Sequence, residues 1–206
     1  MCIMTFIWIN PVTASLYPAD DLNAFLKRNG YQRVEASPHW PETVREKYKR
    51  ALETTDRTVI DMRCPKIAER IDLHGLRENV TLPAIEPILI HCGREISERE
   101  DLRGTEKLIT TPCQALADFG NSLGLKETKF LPWNLFLSAF DDAPAASPLE
   151  SSPIPPGFFA ELNCRKISVT EKAHIDALFR NFPQDTFDLI ELLYCKNGCH
   201  NGDGIR

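Results

Sequence analysis

Short apolar runs alternate with amphipathic segments along this 206-residue chain, and that alternation constrains the fold more than any other feature. Strand-length runs separated by helix-length segments predict an α/β protein with a mostly parallel sheet or sheets and flanking helices, since parallel strands need crossovers. Thr5 to Ile9 reads as a strand, and Ala19 to Asn29 as a helix with Asp20 and Asp21 in its first turn and Gly30 as its stop. Tyr31 to Glu35 is a second strand, and a charged helix runs from about Pro41 to Glu53. Thr58 to Met62 is a buried strand leading into Cys64-Pro65, followed by a helix over 66–73 ended by Gly75.

Glu86 to His91 is a β-branched run that predicts a strand ending at Cys92, with a helix over 94–101 after it. Lys107 to Thr110 is a strand entering Thr111-Pro112-Cys113, and a helix then runs to Leu123. From about Pro132 to Gly157 the chain is rich in Pro, Ala and Ser, which predicts a long irregular connection. A helix over 170–180 and a short buried strand over 187–190 complete the order. A chain of this length forms one domain or two small lobes; a single domain over 1–206 is the reading adopted from the sequence.

The formal net charge of −5 and the lack of any Lys/Arg cluster argue against a nucleic-acid partner. The apolar stretch from Met1 to Ile9 is short, has no basic n-region and runs into Asn10-Pro11. A buried strand is therefore expected there, neither a signal peptide nor a membrane span.

Chemistry concentrates near the C-terminus, in the run from Glu191 to Gly204. Cys195 and Cys199 stand four residues apart among Gly198, Gly202 and Gly204, a pattern that suits neither helix nor strand interior. Glycines let backbone wrap closely around a compact anion, and two nearby thiolates make a soft-metal bite. The seven cysteines are odd in number and irregularly spaced, so metal binding or reactivity explains them better than a disulfide framework. Cys64, Cys92, Cys113 and Cys195 are each expected just past a strand end, where ligands gather in parallel sheets. The plain alternative for each thiol is a small core residue.

Three segments together resemble the catalytic domain of the iron–iron hydrogenases. They are Asp61-Met62-Arg63-Cys64-Pro65, His91-Cys92-Gly93-Arg94-Glu95-Ile96-Ser97-Glu98, and Glu191 through Gly204, whose Cys, Gly and leading Glu positions all fall in register. Leu108-Ile109-Thr110-Thr111 with the following helix also resembles the element the family places between the second and third segments. The likeness covers roughly residues 58 to 205, with a shortened interval between the second and third segments. It implies a 4Fe–4S cubane held by Cys64, Cys92, Cys195 and Cys199, with Cys199 where the family bridges to its di-iron subsite.

The departures carry equal weight. Where the family has a proton-relay Cys, this chain has Arg63, which stays protonated and cannot shuttle protons. Where the family has a Lys that holds a cyanide ligand, Glu95 brings negative charge, and Ile90 and Leu193 replace the family's methionines. The resemblance thus implies a cluster-binding protein without hydrogen chemistry, acting in electron transfer or redox sensing with a redox protein partner, and, since the family's iron–sulfur chemistry is oxygen-sensitive, a cytoplasmic location in an anaerobic or facultative organism.

Two alternatives stay open, an active oxidoreductase of the hydrogenase superfamily with a modified cluster and a structural zinc protein. Zinc sites usually arrive as two tight cysteine pairs, and only one close pair exists here. His200 is a ligand or a solvated loop residue. Lys196, Arg63 and Arg94 either offset cluster charge or are ordinary surface cations, and Glu98 either braces the second segment or lies on a helix surface. Cys113 is a core residue or a fifth thiol at a strand tip. Cys2 and Cys164 have no distinguishing context. Trp133, Phe136, Phe158 and Phe159 read as core anchors, with a docking surface for a redox partner as the lesser alternative.

Overall fold

A computed structural model describes residues 5–182 and 186–205. In chain order the first half contains β1 (Thr5–Trp8), α1 (Pro11–Ala14), α2 (Ala19–Arg28), β2 (Tyr31–Arg33), α3 (Trp40–Glu53), β3 (Val59–Ile60), α4 (Lys66–Leu73) and α5 (Ile88–Glu98). The second half contains β4 (Lys107–Thr111), α6 (Gln114–Ser122), β5 (Thr128–Pro132), α7 (Trp133–Leu137), β6 (Lys166–Thr170), α8 (Lys172–Arg180) and β7 (Leu189–Leu193). The architecture is α/β, with every strand pair parallel and helices flanking the sheets. The described residues fall into two compact units, one from 5–38, 89–153 and 200–205, the other from 39–88 and 154–199.

The first unit holds a four-stranded sheet in the order β2-β1-β4-β5. One of its cores packs Ile7, Leu22, Phe25, Leu26, Trp133 and Phe136 together. The Trp133 indole N–H donates to the Tyr17 hydroxyl at 2.9 Å, so a fully buried ring keeps its polar atom satisfied. Phe130 of β5 sets the helix spacing: a Cβ on Gly93 of α5 would lie 2.5 Å from its ring, and one on Gly120 of α6 2.3 Å away.

The strand expected over Glu86 to His91 is instead the start of α5, and Cys92 lies inside that helix, past no strand end. Leu89, Ile90, His91, Cys92 and Gly93 are all buried, so the segment is apolar on nearly every side and its β-branched run mimics a buried strand. The helix expected over 94–101 is the rest of α5 plus a 3-10 turn at Glu100–Leu102. The connection expected to be irregular from Pro132 begins with α7, and β5 and β6 are strands that the apolar pattern does not announce.

The second unit holds a three-stranded sheet in the order β3-β7-β6. One face packs Ile60, Ile67, Ile71, Ile175, Phe179 and Ile190, and another cluster gathers Val44, Tyr48, Val59, Phe159 and Leu189. Among the described residues no helix is long and apolar enough to cross a membrane.

Candidate thiol site at the carboxyl edge of the three-stranded sheet

Parallel register brings the ends of β3 and β7 side by side. Val59 pairs with Leu189 and Ile60 with Ile190, and the Asp61 N–H continues the ladder onto the Ile190 carbonyl at 2.9 Å. The chain then leaves β3 through Asp61-Met62-Arg63-Cys64 and leaves β7 through Tyr194-Cys195, so two of the expected ligands emerge at one edge.

Cys64 and Cys195 lie near enough there to act on each other electrostatically. Burial pushes the Cys64 thiol up to about 11, backbone N–H groups of Tyr194 and Lys66 pull it back down by bonding to the sulfur, and the Cys195 thiolate charge raises it. After Cys195 the loop turns through two left-handed residues, Asn197 at φ 56° and Gly198 at φ 120°. The turn is held by the Gly198 N–H on the Cys195 carbonyl at 3.3 Å and the Asn197 N–H on the Thr170 hydroxyl at 3.3 Å. Cys199 follows, half-buried, at the start of a 3-10 turn.

Beside the thiols lies a buried ion cluster. Arg63, 8 % exposed, places Nε 2.9 Å from Oδ1 of Asp61 and Nη2 2.8 Å from both Oδ2 of Asp61 and Oε1 of Glu191. Burial works against the guanidinium charge, but Asp61 and then Glu191 more than offset it, so Arg63 stays protonated. The Phe158 ring covers the guanidinium at 3.9 Å and Phe159 at 4.7 Å. Tyr48 donates to Asp61 at 3.1 Å and accepts the Met62 N–H at 2.8 Å; burial foremost, then the Asp61 charge, hold its hydroxyl well above the usual phenol range. The two phenylalanines are thus core anchors that also lid a cation.

The remaining expected residues have separate settings. Cys92 belongs to the first unit, where burial and then the charge of Glu95 push its thiol up to about 12. Glu95 accepts the Ser37 N–H on both carboxylate oxygens, at 3.0 and 2.9 Å. Glu98 is exposed at the end of α5, Lys196 is exposed, and Arg94 is half-buried. Lys66 sits over the Tyr194 ring at 5.0 Å. Cys113 is the residue before α6 in the first unit, and Cys164 packs against the Val44–Tyr48 cluster, its thiol raised by burial. None of the six described cysteines is in a disulfide; Cys2 lies outside the described residues.

Gly204, beyond Cys199, has a packing role that spacing alone does not disclose. In the first unit, Asp203 accepts the Gln114 N–H at 3.0 Å at the start of α6, and Gly204 donates to the Pro112 carbonyl at 3.1 Å. A Cβ on Gly204 would lie 2.9 Å from both the Cys113 nitrogen and Pro132 Cβ. His200 Nε2 meets the Asn201 side chain at 3.1 Å, and its buried Nδ1 has no hydrogen-bond partner.

The donor set at the edge is soft sulfur flanked by N–H donors, which suits thiolate-ligated iron in its chemistry. Among the described residues no three His, Cys, Asp or Glu side chains are gathered to hold a metal ion, and Cys64 and Cys195 lie near enough to act on each other electrostatically. No family model, no curated protein and no solved structure matches this chain.

Proposed function

We propose that this chain is a non-catalytic iron–sulfur protein that transfers electrons or senses redox state through a protein partner. The observation that carries the reading is the emergence of Cys64 and Cys195 past two adjacent parallel strands, with the Tyr194 N–H on the Cys64 sulfur, where ligands of open α/β sheets collect. Cys199 stands four residues beyond Cys195 on the same loop, also in the second unit. When bound, a 4Fe–4S cluster supplies one-electron transfer. The chain supplies sulfur donors, and the N–H groups of Tyr194 and Lys66 hold the Cys64 sulfur in place. Hydrogen bonds to ligand sulfur are among the factors that set a cluster's potential.

Two further observations support a role without hydrogen turnover. At the position of the family's proton relay, Arg63 is enclosed by two carboxylates and two aromatic rings. At the position of its anion-holding Lys, the Glu95 carboxylate is occupied by the Ser37 backbone. The test is iron content and hydrogen evolution of anaerobically reconstituted protein. The reading expects bound iron that is lost in C64S and C195S, and no hydrogen evolved with a reduced dye. Hydrogen evolution would make the chain an enzyme, and stoichiometric zinc in colourless protein would make the thiols structural. The same iron measurement on C199S and C92S assigns those thiols to the ligand set or removes them from it.

A further inference from the structure

We infer that Arg63 is a positioning residue that clamps the loop carrying Cys64 to the strand delivering Cys195, its charge being consumed inside that clamp and not offered to the thiols. The inference deepens the cluster reading and rests on it for the ligand, but the clamp belongs to the iron-free chain and is tested there.

The bonds define the clamp. Asp61 receives the Arg63 backbone N–H at 3.0 Å as well as the guanidinium, which folds residues 61–63 into a tight turn just ahead of Cys64. The other end of the guanidinium reaches Glu191 in the middle of β7, four residues before Cys195. Glu191 is itself fixed by the N–H groups of Gly157 at 2.6 Å and Phe158 at 3.0 Å and by the Ser168 hydroxyl of β6. One side chain therefore joins the exit of β3 to β7 and, through Glu191, to β6. One guanidinium faces two carboxylates, so no positive charge is left over for neighbouring thiolates. Only the planar fork of Arg meets both acids at once; a Lys ammonium keeps the charge and loses the geometry.

The experiment is hydrogen exchange, read by mass spectrometry on iron-free wild type, R63K and R63M, with the α6 segment of the first unit as internal reference. If Arg63 positions the loops through its planar fork, both variants exchange about tenfold faster or more at residues 61–64 and 189–195, while the α6 reference does not move. If its charge alone matters, R63K keeps the wild-type protection and only R63M loses it; that result overturns the inference. Should R63M fail to fold, R63K decides alone, since it separates charge from geometry. Wild-type protein that takes up no iron sinks the cluster reading and leaves the clamp standing on its protection pattern. Unmoved R63K protection in a chain that does bind iron sinks the clamp alone.

Discussion

Arg63 and Glu191 lie 128 positions apart in sequence and meet at 2.8 Å in the buried interior of the second unit, with Asp61 as the third member. Arg63 is one of the residues at which the sequence departs from the hydrogenase-like pattern it resembles, and Glu191 is one at which it keeps it. The buried cation has both of its counter-ions in place.

Glu191→Ala leaves Arg63 with Asp61 alone and strands the N–H groups of Gly157 and Phe158. Breaking a buried ion pair by removing one partner costs about 3–5 kcal/mol. For a chain of this size that corresponds to a thermal midpoint lowered by roughly 10 °C, provided unfolding is cooperative. Scanning calorimetry checks it, and a drop of only a degree or two would mean the cluster is not a major support of the second unit.

The acid limb of stability has an identifiable contributor in Asp176. The Lys172 ammonium first, and Arg70 with it, hold the Asp176 carboxyl down at about 2, against an ordinary value of 3.8. Its folded-state value is depressed, so the stability it adds is present above 3.8 and is lost as pH falls toward 2. Asp176→Asn should lower the denaturation midpoint near neutral pH and flatten the decline between those two pH values. Urea titrations across the range test this; an unchanged slope would locate the acid sensitivity elsewhere.

Gly120→Ala should be strongly destabilising, because its new methyl would sit 2.3 Å from the Phe130 ring. Overpacking of this kind costs about 1–3 kcal/mol. Adding Phe130→Leu makes room, so the double variant should lose less than the sum of the singles. Gly204→Ala meets backbone and should not be relieved by any single partner change, since Cys113 nitrogen is among the atoms it strikes. Chemical denaturation of the set distinguishes the two cases.

Much of the fold is legible in the chain, and the misses have physical causes. The helix over 66–73 and the strand–Cys–helix unit around Cys113 follow directly from apolar spacing and Gly stops. The strands β5 and β6 are each at a sheet edge, and their lysines break up the apolar run that marks a central strand. The segment around Cys92 misleads for the opposite reason: a helix start buried on nearly every side has no polar face to reveal its period. At the site, the convergence of Cys64 and Cys195 follows from strand order, which strand-end reasoning reaches. The ion clamp does not, because Asp61, Arg63 and Glu191 come together only through tertiary pairing. Nor does the role of Gly204, which depends on what lies opposite it.

Anaerobic iron and acid-labile sulfide analysis of the intact wild-type chain, with paramagnetic resonance after reduction, tests the central proposal most directly. The account predicts brown protein with about four irons and four sulfides per chain, the cubane stoichiometry, and a resonance signal on one-electron reduction. Colourless protein with neither iron nor sulfide after anaerobic reconstitution would contradict it.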